Sequence, residues 1–206
     1  MENQENKLFS TQNIIRMGFL AAVAVVLMQF DLSLPFLFPP FLKIDLGDVP
    51  AVVGLLVVHP LSGLIIPLIK VLLDILIFGT TTGGVGEFSN YIISIAYLIP
   101  LMIIVHKNKS FRAILIGIFL GIVTTTIVGC ISNYFIVLPL YSKFMPIEQI
   151  IEMGAKLNPV INDLKSFVIF IMGPFNIFKS TVVSMASLIV VKAILPAMQI
   201  LRSKQA

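Results

Sequence analysis

Charge is what this sequence has least of. Only 12% of its 206 residues are Asp, Glu, Lys or Arg, while 58% are hydrophobic, and its mean hydropathy is +1.04. Soluble domains carry roughly 25% charged residues, so this chain has too few to cover a water-facing globule. Disordered segments and coiled coils need still more polarity and are excluded with it. There is no Trp and a single cysteine, Cys130, which rules out an intramolecular disulfide. The chain has no G-x-x-x-x-G-K-[ST] run, so it does not hydrolyse ATP through a P-loop of its own. Its two histidines, His59 and His106, form no H-E-x-x-H pair and no cluster with Cys130. Pro60-Leu61-Ser62-Gly63 is not a nucleophile elbow. No internal repeat or low-complexity tract is present. These residues give an enzyme little support and a metal site none, and the net charge of +4 is spread around apolar runs instead of forming a nucleic-acid surface.

Those apolar runs are unbroken, which argues for membrane helices over alternating barrel strands. At about 20 residues per span, one all-α integral membrane domain covering residues 1–206 fits six helices. They are expected near residues 13–34, 47–58, 61–78, 88–105, 113–139 and 166–192. The Ala22-Val23-Ala24 match to a cleavage site lies in mid-run, so the first helix reads as retained. A hairpin at His59–Gly63 divides the 21 uncharged residues Val49–Ile69 into a short second helix and a third. The second is too short to cross a bilayer alone. Either protein surrounds it, or residues from Phe41 onward lengthen it.

With both termini cytoplasmic, the inner side receives Lys7, Arg16, Lys107, Lys109, Arg112, Lys192, Arg202 and Lys204, and the outer side Lys43, Lys143, Lys156 and Lys165. Eight against four satisfies the positive-inside rule. The longest connections then lie outside, and one of them holds an amphipathic stretch, Ile147–Leu157, suited to a short helix at the outer surface.

A few polar residues remain inside the bundle. Lys179 falls about eight residues, roughly 12 Å, into the last span, where a lysine needs a cavity or a partner. Asn176 lies three residues earlier on the same face. Asn133, between Ser132 and Tyr134, adds an amide in the outer part of helix 5. Gly79-Thr80-Thr81-Thr82-Gly83-Gly84-Val85-Gly86-Glu87 is a loop whose amides and hydroxyls can approach a polar ligand closely. Lys70 and Asp74, four apart, are expected to form a structural ion pair. Gly18-x-x-x-Ala22 and Gly117-x-x-x-Gly121 offer small faces for helix packing, or for a partner subunit where they face outward. On these residues alone, a self-sufficient channel or secondary carrier and an intramembrane enzyme both stay open.

The stretch Phe41-Leu42-Lys43-Ile44-Asp45-Leu46-Gly47-Asp48-Val49-Pro50, the hairpin around Pro60 and Gly63, Lys70, the run Thr82-Gly83-Gly84-Val85-Gly86-Glu87-Phe88-Ser89-Asn90, and Pro174-Phe175-Asn176-Ile177-Phe178-Lys179 occur in that order. Together they resemble the riboflavin-specific substrate-binding subunits, or S components, of energy-coupling factor (ECF) transporters, over essentially the whole chain. Gly47 and His59 depart from the residues common there, serine and glycine.

The resemblance implies a six-helix, multi-pass subunit of the cell membrane that binds riboflavin near its outer face. It implies association with a membrane coupling subunit (T component) and two cytoplasmic ATPases, and toppling in the membrane to deliver substrate. Riboflavin would be cargo, and no cofactor is implied. Binding positions carry over onto Glu87, Asn133, Asn176 and Lys179, with Leu42 and Gly86 beside them, and the coupling-subunit contact onto Gly18 and Ala22. An S component for another vitamin is the alternative within this family.

Overall fold

Ser10 starts the first helix: its hydroxyl accepts the Asn13 N–H at 3.3 Å, and α1 runs Thr11–Gln29. The prolines that follow, Pro35, Pro39 and Pro40, forbid continuation. The chain instead makes a two-stranded antiparallel hairpin, β1 (Leu32–Ser33) with β2 (Lys43–Ile44), in which Leu32 faces Ile44. The computed structural model describes residues 8–108 and 110–203, with side chains as far as Ala193. Lys7, Lys109 and Lys204, used above to orient the chain, lie outside the described residues, as does the side chain of Arg202.

Helix α2 (Val49–Val57) opens with Pro50 in its first turn, and α3 (Ser62–Phe78) follows after a tight bend. Ser62 closes that bend by donating to the Gly54 carbonyl at 2.9 Å. Every residue from Val49 to Leu55 is buried, so protein surrounds the short second helix on all sides. α3 stops where Gly79 takes φ +77°. α4 (Val85–Lys107) begins after Gly83 and Gly84, also at positive φ, and so includes Gly86 and Glu87 in its first turn instead of leaving them in the loop.

After α4, α5 (Phe111–Ser132) passes through a π turn, Asn133–Val137, into α6 (Leu138–Tyr141). α7 (Ile147–Leu157) buries Ile150 and Gly154 and exposes Glu148, Glu152 and Lys156. α8 (Leu164–Phe167), capped by Asp163 and Ser166, passes through a second π turn, Val168–Met172, into α9 (Gly173–Ser203).

Four of the described helical stretches are long and apolar enough to cross a membrane: Thr11–Gln29, Val85–Lys107, Phe111–Tyr141 and Leu164–Ala193. α2 and α3, with 9 and 17 residues, fall short of that length. The outer surface of the bundle is apolar; Leu76 is 80% exposed and Phe19 68%. Such a surface is stable against hydrocarbon and not against water.

The two small-residue motifs take different positions. A Cβ at Gly121 would stand 2.5 Å from the Tyr97 carbonyl oxygen, and one at Gly117 would stand 3.0 Å from the Leu101 Cα, so this pair lets α4 and α5 touch backbone to backbone. Gly18 and Ala22 lie on the exposed side of α1, and nothing comes within 4 Å of a Cβ at Gly18.

Two apolar cores result. One joins Met17, Val52, Leu55, Ile66, Leu98 and Val183 from α1 to α4 and α9. The other joins Phe38, Leu42, Leu138, Ile150, Phe167 and Phe175, where the first loop and α7 cover the start of the last span.

Candidate functional site

Leu42, Gly86, Glu87, Asn133, Asn176 and Lys179 come from four separate parts of the chain, and all six line one cavity of 360 Å³. That volume is in the range of small-molecule sites. Each wall has a local cause. On the last span Met172, Phe175, Asn176 and Lys179 recur at helical spacing and face inward. On α4, Gly86, Ser89, Asn90 and Ile93 do the same. On the fifth span the π turn holds one residue more than an α turn. It thereby directs Asn133, Val137, Leu138 and Tyr141 all to the cavity. The first loop contributes Phe41, Leu42 and Asp45.

The polar groups are held in defined poses. Lys179, its side chain 11% exposed, places Nζ 2.7 Å from Asp45 Oδ2, tying the first loop to the last span. Asn133 donates one Nδ2 proton to the Gly129 carbonyl at 2.8 Å, which leaves its side-chain oxygen and its second amide proton for a ligand. Asn176, 3% exposed, has no hydrogen-bond partner for Nδ2. A buried unpaired amide of this kind is costly in a protein interior; here it lies in a cavity wall, where a ligand acceptor would satisfy it.

Near the mouth, Glu87 Oε2 accepts from the hydroxyls of Thr80 at 3.1 Å and Thr82 at 3.3 Å. Those hydroxyl oxygens accept in turn from backbone N–H groups, Thr80 from Gly84 at 2.8 Å and Thr82 from Gly86 at 3.0 Å. The amide donors thus aim both hydroxyl protons at the carboxylate and fix its orientation. Aromatic surface comes from Phe41, stacked on Tyr141 with centroids 5.8 Å apart, and from Phe175.

The expected Lys70–Asp74 pair is not formed. Lys70, fully buried, turns away along α3 and donates to Asp48 Oδ1 at 2.6 Å and Asn90 Oδ1 at 2.9 Å. Asp74 accepts from Gln29 Nε2 at 2.7 Å. A buried ammonium needs several acceptors at once, and Asp48 and Asn90 supply two where Asp74 would supply one side chain. Asp48 also accepts from Ser94 at 2.7 Å. Asp45, Asn90, Phe41 and Tyr141 were not chosen from the sequence as site residues. Asp45 and Asp48, two anions within four residues just before an apolar run, were the available signal, since buried Lys70 and Lys179 each require one. Among the described residues no group of three or more His, Cys, Asp or Glu could hold a metal ion.

Comparison with known proteins gives a consistent result. The family model "ECF transporter, substrate-specific component" matches residues 12–191. The riboflavin transporter FmnP of Bacillus subtilis (strain 168) is 31% identical over 185 residues, covering 88% of this chain and 91% of that protein. The riboflavin transporter RibU of Staphylococcus aureus (strain TCH60) is 31% identical over 184 residues, covering 88% and 90%. A solved structure of the S component of a bacterial ECF transporter superposes with a TM-score of 0.72 at 28% identity, over 91% of this chain and 97% of that one. With four helices able to cross a membrane, this is a multi-pass membrane protein, and the chain belongs to the family of substrate-specific components of ECF transporters.

Proposed function

We propose that this chain binds riboflavin in the outer-face cavity and carries it into the cell together with a membrane coupling subunit and two cytoplasmic ATPases. The observation that carries the ligand assignment is the buried, unpartnered Asn176 amide beside Lys179 and Asn133. Asn176 Nδ2 and Lys179 Nζ are donors, and Asn133 retains an acceptor. Donor and acceptor side by side match the carbonyl–imide edge of the isoalloxazine ring, which offers C=O and N–H in alternation. Phe41, Leu42, Phe175 and Met172 supply apolar surface for the planar ring. Glu87, fixed by Thr80 and Thr82, accepts hydroxyl protons of the ribityl chain at the mouth. The names of the relatives FmnP and RibU, both riboflavin transporters, support the same ligand.

In this reading α2 and α3 complete a six-helix bundle with both termini cytoplasmic. Gly18 and Ala22, bare on the exposed side of α1, receive the coupling subunit. The absence of a Walker motif fits a chain whose ATPases are separate.

The deciding experiment is an absorption spectrum and riboflavin titration of detergent-purified protein. Bound flavin makes the preparation yellow, and added riboflavin loses fluorescence as it binds. Asn176→Ala and Lys179→Ala each weaken binding by about tenfold or more. A colourless protein that ignores added riboflavin, or unchanged affinity in both variants, refutes the proposal.

A further inference from the structure

Gly129 lies on α5 one helical turn before Asn133 and does not line the cavity itself. It touches the site through both asparagines. Its carbonyl holds the Asn133 amide at 2.8 Å. On its other side, a Cβ added at Gly129 would stand 2.4 Å from Asn176 Nδ2 and 3.1 Å from Asn176 Cγ. No real side chain tolerates 2.4 Å, so the Asn176 amide occupies its place only because residue 129 has no side chain.

From this we propose that Gly129 is a positioning residue for ligand recognition. Its missing Cβ seats the Asn176 amide, and its carbonyl anchors the Asn133 amide group one turn away. The inference rests on the riboflavin reading for its ligand but not for its mechanism. The atom displaced by a Cβ is the tip of a side chain, and the next nearest obstacle, Ile93 Cδ1 at 2.9 Å, is a side-chain tip as well. Alanine is also the better helix former. Gly129→Ala is therefore expected to fold, with the asparagine displaced furthest and Ile93 Cδ1 giving slightly.

The experiment compares wild type, Gly129→Ala, Asn176→Ala and the double variant by riboflavin titration, flavin absorption on binding, and thermal unfolding without ligand. Gly129→Ala is expected to bind roughly 5- to 100-fold more weakly, the range for leaving one buried hydrogen-bonding group unpaired, with no loss of melting temperature. The double variant should bind like Asn176→Ala alone, because the side chain through which Gly129 acts is already gone. If Gly129→Ala binds as wild type does, or if the two losses multiply in the double variant, the proposal is overturned. Should Gly129→Ala alone fail to fold while the double variant folds, the clash with Asn176 is confirmed; if neither folds, Gly129 serves the fold and the proposal fails. The side-chain amide resonance of Asn176, assigned by its loss in Asn176→Ala, must shift in ligand-free Gly129→Ala. That signal tests Gly129 even if wild type binds no riboflavin, an outcome that would refute the ligand and leave the positioning role standing or falling on the resonance.

Discussion

Lys70→Met removes a cation from a site closed to solvent. The lysine side chain is 0% exposed and Asp48 is 8% exposed, with 2.6 Å between Nζ and Oδ1. At an effective dielectric of about 20, two unit charges at that separation attract by about 6 kcal/mol. Desolvation of both offsets most of this in the intact pair, but after truncation Asp48 keeps its desolvation cost and loses the attraction. Ser94, at 2.7 Å, still donates to it, and Asn90 loses its closer donor, keeping only the Ser94 hydroxyl at 3.4 Å. Breaking a buried pair in this way costs about 3–5 kcal/mol, or on the order of 10 °C in melting temperature for a chain of this size. Adding Asp48→Asn to Lys70→Met removes the stranded charge and should recover more than half of the loss. Thermal unfolding of the purified single and double variants provides the measurement. A loss under about 1 kcal/mol in Lys70→Met, or no recovery in the double variant, would refute the assignment of Asp48 as the partner.

Three further outcomes follow from the geometry. Burial works to raise the Asp45 carboxyl, yet the ammonium groups of Lys179 and Lys70 hold it below its ordinary value of 3.8. A lowered value means stability that is complete above pH 3.8 and is lost as pH falls through the lower folded value; Asp45→Asn should flatten that acid limb of the melting curve, and an unchanged limb would disprove the pairing. Gly121→Ala drives a Cβ toward the Tyr97 carbonyl and should destabilise by about 1–3 kcal/mol in a melting assay, while Gly18→Ala should be neutral. Ala22→Leu should leave riboflavin titration unchanged but abolish uptake in cells that contain the partner chains, and normal uptake would place the coupling contact elsewhere.

Much of this architecture can be read from residues whose chemistry allows little choice. Pro35, Pro39 and Pro40 bar a helix through the first loop, although α1 already ends at Gln29, five residues before the expected 34. His59–Gly63 breaks the second apolar run, where α2 and α3 are in fact separated between Val57 and Ser62. Lys179, Asn176, Asn133 and Glu87 stand out because polar groups are costly among apolar helices, and the structure brings all four to one cavity. Pairings between elements were not legible. The spacing of Lys70 and Asp74 satisfies a local rule, but the ammonium finds its acceptors 22 residues back and 20 residues on. Aromatic walls share that difficulty: Phe41 and Tyr141 look like any of the 16 Phe and 4 Tyr until the first loop folds over the fifth span.

The two π turns add a consequence of their own. Each helix that carries one is a residue longer than the same path would need in α geometry, and one residue corresponds to about 100° of rotation. Deleting any single residue within Asn133–Val137 would let the helix heal into a continuous α-helix and swing Leu138 and Tyr141 off the cavity wall, whichever residue was removed. Deletion within Val168–Met172 would turn the N-terminal start of that span, Phe167 included, against Phe175, Asn176 and Lys179. The shape of this cavity is therefore written partly in residue count: a chain could keep all six of the expected lining residues and lose the cavity they form through a one-codon gap.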